Sequence, residues 1–193
     1  MIGEEKQIAI YDFDGTLTTE SSFTKFLEFR KEKVGFGKIL AHLPSAVFSK
    51  QASAKERLFG LYFKGMKEEG FRQLCEEFCA EKIPEMIRKE MLEMFLRDLE
   101  TQELVIIASA SIEAYLLPFA KKYSEKVLVI GTKIEKKNGI ITGRFIGKNC
   151  SQLEKIKRII TEVDLSNAYI KVFTAGRNDK PLMFLGNEVH VLK

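Results

Sequence analysis

The stretch Tyr11-Asp12-Phe13-Asp14-Gly15-Thr16-Leu17-Thr18 sets two aspartates one residue apart, directly after the mostly apolar run Gln7–Tyr11. Like charges this close oppose each other's ionisation, and charge beside a core is costly. The pair is either a solvated turn, since Asp and Gly favour turns, or it faces something positive or reactive. Three other groups could join it. Ser109-Ala110-Ser111 follows the apolar run Glu103–Ala108; Lys155 opens a helical pattern after GKNCSQLE; Thr174-Ala175-Gly176-Arg177-Asn178-Asp179 follows Tyr169–Phe173. An acid pair, a hydroxyl with exposed amides, an ammonium and a further carboxylate suit phosphoryl transfer. One carboxylate attacks phosphorus and forms an aspartyl-phosphate. The other protonates the leaving oxygen, then deprotonates the water that hydrolyses the intermediate. Carboxylate and carbonyl oxygens hold Mg2+, while a serine hydroxyl, main-chain amides and a lysine hold the equatorial phosphoryl oxygens. Each residue alone also has a plainer role. Ser111 suits a helix cap, Lys155 a surface site with Lys157 as its alternative, and Asp179 before Pro181 a cap on the last helix.

These groups must be positioned by a sheet. Gln7–Tyr11, Glu103–Ala108, Val127–Ile130, Tyr169–Phe173 and Val189–Leu192 read as short strands, the first three apolar enough to be buried on both faces. Helical patterns over Glu85–Glu100, Ile112–Tyr123 and Leu153–Thr161 alternate with them. That alternation predicts an α/β fold, a Rossmann-like doubly wound parallel sheet covered on both faces. Ligands in such sheets bind beyond the carboxyl ends of the strands, where all four groups fall. Two regions break the rhythm. Asn138-Gly139 favours a type I′ turn, so a β-hairpin is expected over residues 134–145. After the first strand, helical patterns at Ser22–Lys33, Lys38–Phe48, Ala54–Phe63 and Lys67–Ala80 are too many for a crossover. They predict a helical domain inserted over 18–83, between core segments 1–17 and 84–193. Phe23, Phe26, Leu27 and Phe29 form an apolar stripe that packing explains.

The bulk numbers bound the function. A chain of 193 residues with 45% hydrophobic and 30% charged residues is ordinary for a globular protein. The net charge of +4 is mild and its bases are interleaved with acids, as at Lys31-Glu32-Lys33, so no basic stripe marks nucleic-acid binding. No apolar run approaches the roughly 20 residues of a membrane span. Cys75, Cys79 and Cys150 make an odd count without a disulfide or zinc pattern. That usage, with the polar start MIGEEKQ, suits a cytoplasmic protein. Cys75 and Cys79 read as core residues on one helix, and Cys150 as packing.

The ordered set DFDGT, a strand-end serine, a lysine and a glycine-rich Asn-Asp turn resembles the haloacid dehalogenase superfamily of phosphatases. The branch is similar to phosphoserine phosphatase, which carries a helical cap after the first motif. The likeness runs through DFDGTLT, VIIASASIEAYLLPFA, NGIITGRFIGKNCSQLEKIKRI and GRNDKPLMFLG. It implies that Asp12 is the nucleophile and Asp14 the acid/base. Thr16, Ser109, Ala110 and Lys155 would bind the phosphoryl group. Mg2+ would sit on Asp12, the Asp14 carbonyl and Asp179, and the substrate would be a small phosphorylated metabolite. Glu20 and Arg57 are the polar cap residues facing it, although Arg57 equally suits a solvated helix face. The fourth motif departs from a pattern similar to Gly-Asp-x-x-Asn-Asp, because Thr174 and Ala175 stand at the Gly-Asp pair and Ala175 offers no oxygen. Three readings stay open: Asp179 serves the metal, metal binding and turnover are weak, or a phosphate-binding protein has lost catalysis.

Overall fold

The computed structural model of the chain describes residues 5–35, 53–176 and 179–192. The helix expected over Lys38–Phe48 lies outside those residues, as do Arg177 and Asn178. Five parallel strands form one sheet: β1 (Lys6–Tyr11), β2 (Leu104–Ile112), β3 (Val127–Thr132), β6 (Ala168–Thr174) and β7 (Glu188–Val191). Their order is β3-β2-β1-β6-β7, with β1 at the centre. The chain leaves β1 toward β2 on one side and β6 on the other, so the crevice of a topological switch opens at the carboxyl end of β1. Tyr11 lies opposite both Ile107 and Phe173, which brings three strand ends level.

Alternate side chains take opposite faces, as the pleat requires. Ala9, Tyr11, Val105, Ile107 and Phe173 join one core cluster, and Ile8, Ile10, Ile106, Ala108 and Val172 the other. Three rings tile across the strands on the first face, Tyr11 stacked on Phe173 at 4.3 Å and Phe173 on His190 at 4.6 Å.

Helices α1 (Ser22–Val34), α2 (Ala54–Phe63), α3 (Glu68–Glu81) and the short α4 (Ile83–Met86) follow β1. Cys75 and Cys79 are buried on α3. The pattern over Glu85–Glu100 is two helices, because Ile87 is extended (φ −66°, ψ 130°) between α4 and α5 (Lys89–Thr101). Ile87 bridges Thr18 there, while Thr19 N–H donates to Met86 and Arg88 N–H to Leu17. The chain thus crosses itself where it enters and leaves the helical stretch. The hairpin β4 (Ile134–Lys137) and β5 (Ile140–Phe145) forms as expected, with Asn138 and Gly139 both at positive φ. It packs on α2, where Phe145 meets Phe59 at 5.5 Å. Helices α6 (Glu113–Tyr123), α7 (Leu153–Glu162) and α8 (Lys180–Met183) complete the chain.

Candidate active site

The crevice gathers the acid pair. Asp12 is buried at the end of β1, fixed by its N–H to the Phe173 carbonyl (2.9 Å). The chain then turns sharply through Gly15 at φ +79°, where a Cβ would sit 3.7 Å from the Ala175 methyl. That contact places the Ala175 methyl beside the turn. Thr16 is buried and its hydroxyl lies 3.4 Å from Asp12 Oδ2.

Lys155 reaches the crevice from α7, seated by buried Ile159 one turn on. Lys157 is exposed, so the side chain in the site is Lys155. Its ammonium donates to Asp12 Oδ1 (2.9 Å) and Asp179 Oδ1 (2.8 Å), and Thr174 Oγ1 donates to Asp179 Oδ2 (3.3 Å). Asp179 precedes α8 without capping it through its side chain. Two carboxylates share one ammonium. Burial pushes the Asp12 carboxyl up to about 6; Lys155 pulls against this shift and Asp179 adds to it. Burial alone would lower Lys155, but the two carboxylates outweigh it and hold the ammonium above the usual lysine range.

Asp14 lies in a cradle of hydroxyls. Its Oδ1 accepts the Ser22 N–H (2.9 Å) and Ser22 Oγ (2.6 Å), and its Oδ2 accepts Ser111 Oγ (2.6 Å). Ser22 opens α1, so the carboxylate takes an amide that the helix itself leaves unpaired. Ser22 Oγ is also 2.8 Å from Ser111 Oγ and 3.1 Å from the Tyr115 hydroxyl. Burial and the Asp14 charge hold the Tyr115 phenol protonated.

Several expectations are corrected here. The second strand does not stop at Ala108. It runs on to Ile112 with a register shift between those two residues, carrying Ser109, Ala110 and Ser111 along the sheet edge. Ser111 is therefore no helix cap: α6 starts after Ile112, and Ser111 is buried against Asp14. Ser109 is buried beside it and accepts the Ser111 N–H (3.1 Å). The small-residue alternation Ser-Ala-Ser was the available signal, since residues two apart on a strand share a face. Glu20 does not enter the site; its exposed carboxylate pairs with Lys25 at 3.1 Å, because the first turn of α1 offers it a cation in water. Arg57 is exposed on α2, in line with its solvated reading. Besides Ser22, the helical stretch brings Lys55 to the crevice, where its Nζ donates to the Ala110 carbonyl (2.8 Å) and lies 4.5 Å over the Phe23 ring. Nothing in the local pattern of α2 separated Lys55 from a surface lysine. Cys150 is packing: its buried thiol leans on the Ile130 carbonyl, and burial raises it to about 11.

Oxygen donors face the crevice, which suits a hard cation such as Mg2+ that keeps several of its waters. Among the described residues no three acidic, His or Cys side chains converge on one point. Two carboxylates, Asp12 and Asp179, flank Lys155, and Ala175 adds no ligand. Among the described residues no helix is long and apolar enough to cross a membrane.

Comparison with known proteins agrees with this architecture. A family model described as haloacid dehalogenase-like hydrolase matches residues 9–183. Protein CicA of Caulobacter vibrioides is 26% identical over 163 residues, covering 82% of this chain and 73% of that protein. The crystal structure of a protein of unknown function from Bordetella pertussis Tohama I superposes with a TM-score of 0.77 at 18% identity, covering 96% of this chain and 89% of the other. A phosphoserine phosphatase captured as a phospho-aspartyl intermediate analogue gives 0.58 at 16% identity, covering 97% and 87%. At these identities the structural likenesses bear on the fold.

Proposed function

This chain belongs to the haloacid dehalogenase-like hydrolases, with a fold like that of phosphoserine phosphatases, and from that premise we propose that it is a phosphatase for small phosphomonoesters acting through an aspartyl-phosphate on Asp12. The observation that carries this reading is the Asp12–Lys155–Asp179 trio at the switch crevice, with Asp12 and Lys155 buried, Asp179 part-buried, and Asp14 two residues after Asp12. The Asp12 carboxylate bonds to phosphorus as the ester oxygen departs with the proton of Asp14. Asp14 then takes a proton from water, whose oxygen attacks phosphorus and releases Asp12 and phosphate. The Ser22 and Ser111 hydroxyls suit both states of Asp14, since a hydroxyl that donates to a carboxylate can rotate to accept from a carboxylic acid. Lys155 and the Ser109 hydroxyl bind phosphoryl oxygens, and Thr16 steadies Asp12. The stretch 18–83 serves as the cap over core segments 1–17 and 84–193, limiting water at the reacting centre. Mg2+ when bound neutralises phosphoryl charge, and Asp12, Asp179 and the Asp14 main-chain carbonyl would hold it.

Ala175 favours a second reading, a phosphate-binding protein that has lost turnover. Hydrolysis of an aryl phosphate at neutral pH, with and without Mg2+, separates the two. The native protein is expected to turn over with Mg2+, and Asp12→Asn to fall by at least about a thousandfold. Ala175→Asp is expected to reach half-maximal activity at lower Mg2+. A silent native protein beside an active Ala175→Asp variant would establish the binding reading instead.

A further inference from the structure

Lys155 has two carboxylates on its ammonium, whereas Lys55 has none: among the described residues its single hydrogen-bond acceptor is the Ala110 carbonyl. An ammonium carries three donors, so two of them remain for a ligand. The side chain is part-buried with the Phe23 ring beneath it, which holds a cation without neutralising it. Ala110 stands between Ser109 and Ser111 at the edge of the crevice; burial lowers the Lys55 ammonium to about 8, with the charges of Asp14 and Asp12 pulling against that shift. A partly desolvated, uncompensated cation in that place is costly unless an anion joins it. We propose that Lys55, supplied by the helical stretch, is a second phosphoryl-binding ammonium of this site, contacting the anion directly beside Ser109 and Ala110.

Ala175 lies beside the Gly15 turn and carries no charge. One anionic group fewer on the β6 side and one cation more on the α2 side make the crevice more attractive to a phosphate dianion before any metal arrives. The inference rests on the phosphatase reading for its ligand, but it is tested by binding and not by turnover. Inorganic phosphate is titrated calorimetrically into the native protein without divalent metal. Lys55→Met, Lys55→Arg and the distant Lys121→Met are run beside it, with thermal melts as a check on folding. Native protein and Lys121→Met are expected to bind alike. Lys55→Met should bind about ten- to a hundredfold more weakly, the loss of one charge-assisted hydrogen bond, and Lys55→Arg should recover most of it. Equal binding by folded Lys55→Met and native protein would overturn the role of Lys55 and leave the phosphatase reading standing. If native protein binds no phosphate with or without Mg2+, both fall. Should Lys55→Met melt early, the Lys55→Arg comparison decides: an anion site keeps its affinity with either cation, and loss of binding in a folded Lys55→Arg protein would overturn the proposal.

Discussion

One face of the sheet is packed with rings, among them Tyr11, Phe13, Phe95, Tyr115, Phe119 and Phe173, and the other with aliphatic chains, among them Ile8, Ile10, Ile106, Ile130, Ile159 and Val172. The ring-rich face continues without interruption into the helical stretch. Phe26 of α1 touches Phe63, Phe78 and Tyr115 at 4.9, 5.0 and 5.1 Å, so the rings of α1, α2 and α3 share a cluster with α6. The aliphatic face ends at α7 and α8. The site draws on both. Asp14 is cradled from the ring side, by Ser22 of α1 and by Ser111, with Tyr115 behind them, while Lys155 arrives from the aliphatic side. Broad rings suit the first task, since they fill the space between a sheet and several helices with few rotatable bonds. A single lysine on a short amphipathic helix needs only the thinner layer. Asp14 is thus coupled to the packing of the helical stretch, and Lys155 is not.

That contrast can be tested from its strongest point downward. Phe26→Ala should cost about 3–5 kcal/mol in a denaturant titration, with one transition seen by all probes; two separated transitions would mean that the helical stretch and the sheet do not share a core. Ser111→Ala removes a donor to Asp14 and leaves Ser22 alone to hold it. Turnover of the aryl phosphate should drop about tenfold with little change in melting temperature, and Ser111→Thr should restore most of it. An unchanged rate would detach the ring-side cradle from the chemistry. On the aliphatic face, Ile159→Val should cost only about 0.5–1.5 kcal/mol, with the rate preserved because Lys155 keeps its two carboxylates.

The sheet was legible because its strands are short apolar runs whose ends carry the unusual residues; Asp12 and Asp179 follow strands β1 and β6, and Lys155 joins them from α7. Asn138-Gly139 announced its hairpin through the conformations those residues tolerate. What stayed hidden was three-dimensional pairing. Lys55 and Arg57 are both basic and two apart on one helix, and only the packing of α2 on the hairpin decides which turns inward. Glu20 follows the first motif closely in sequence, but Lys25 and solvent claim it. Ser111 reads as the start of a helix if the apolar run Glu103–Ala108 is the whole strand; the bulged extension of β2 carries it to Asp14 instead. Ala175 was legible as a substitution, and the structure adds its neighbour, Gly15.

The crossing at Thr18 and Ile87 has a consequence for how such a protein can change. Entry and exit of the helical stretch are tied to each other by main-chain hydrogen bonds from Thr19 and Arg88, and the Thr19 hydroxyl adds a bond to the Met86 carbonyl. Closing a longer loop between two points already joined costs only about 0.6 kcal/mol per doubling of its length. A descendant could therefore lengthen, trim or exchange what hangs from that knot while the strand register beneath stayed as it is. The same knot offers a graft point: another helical piece whose ends lie side by side could be spliced between Thr18 and Ile87, provided that it brings its own donors to Asp14 in place of Ser22.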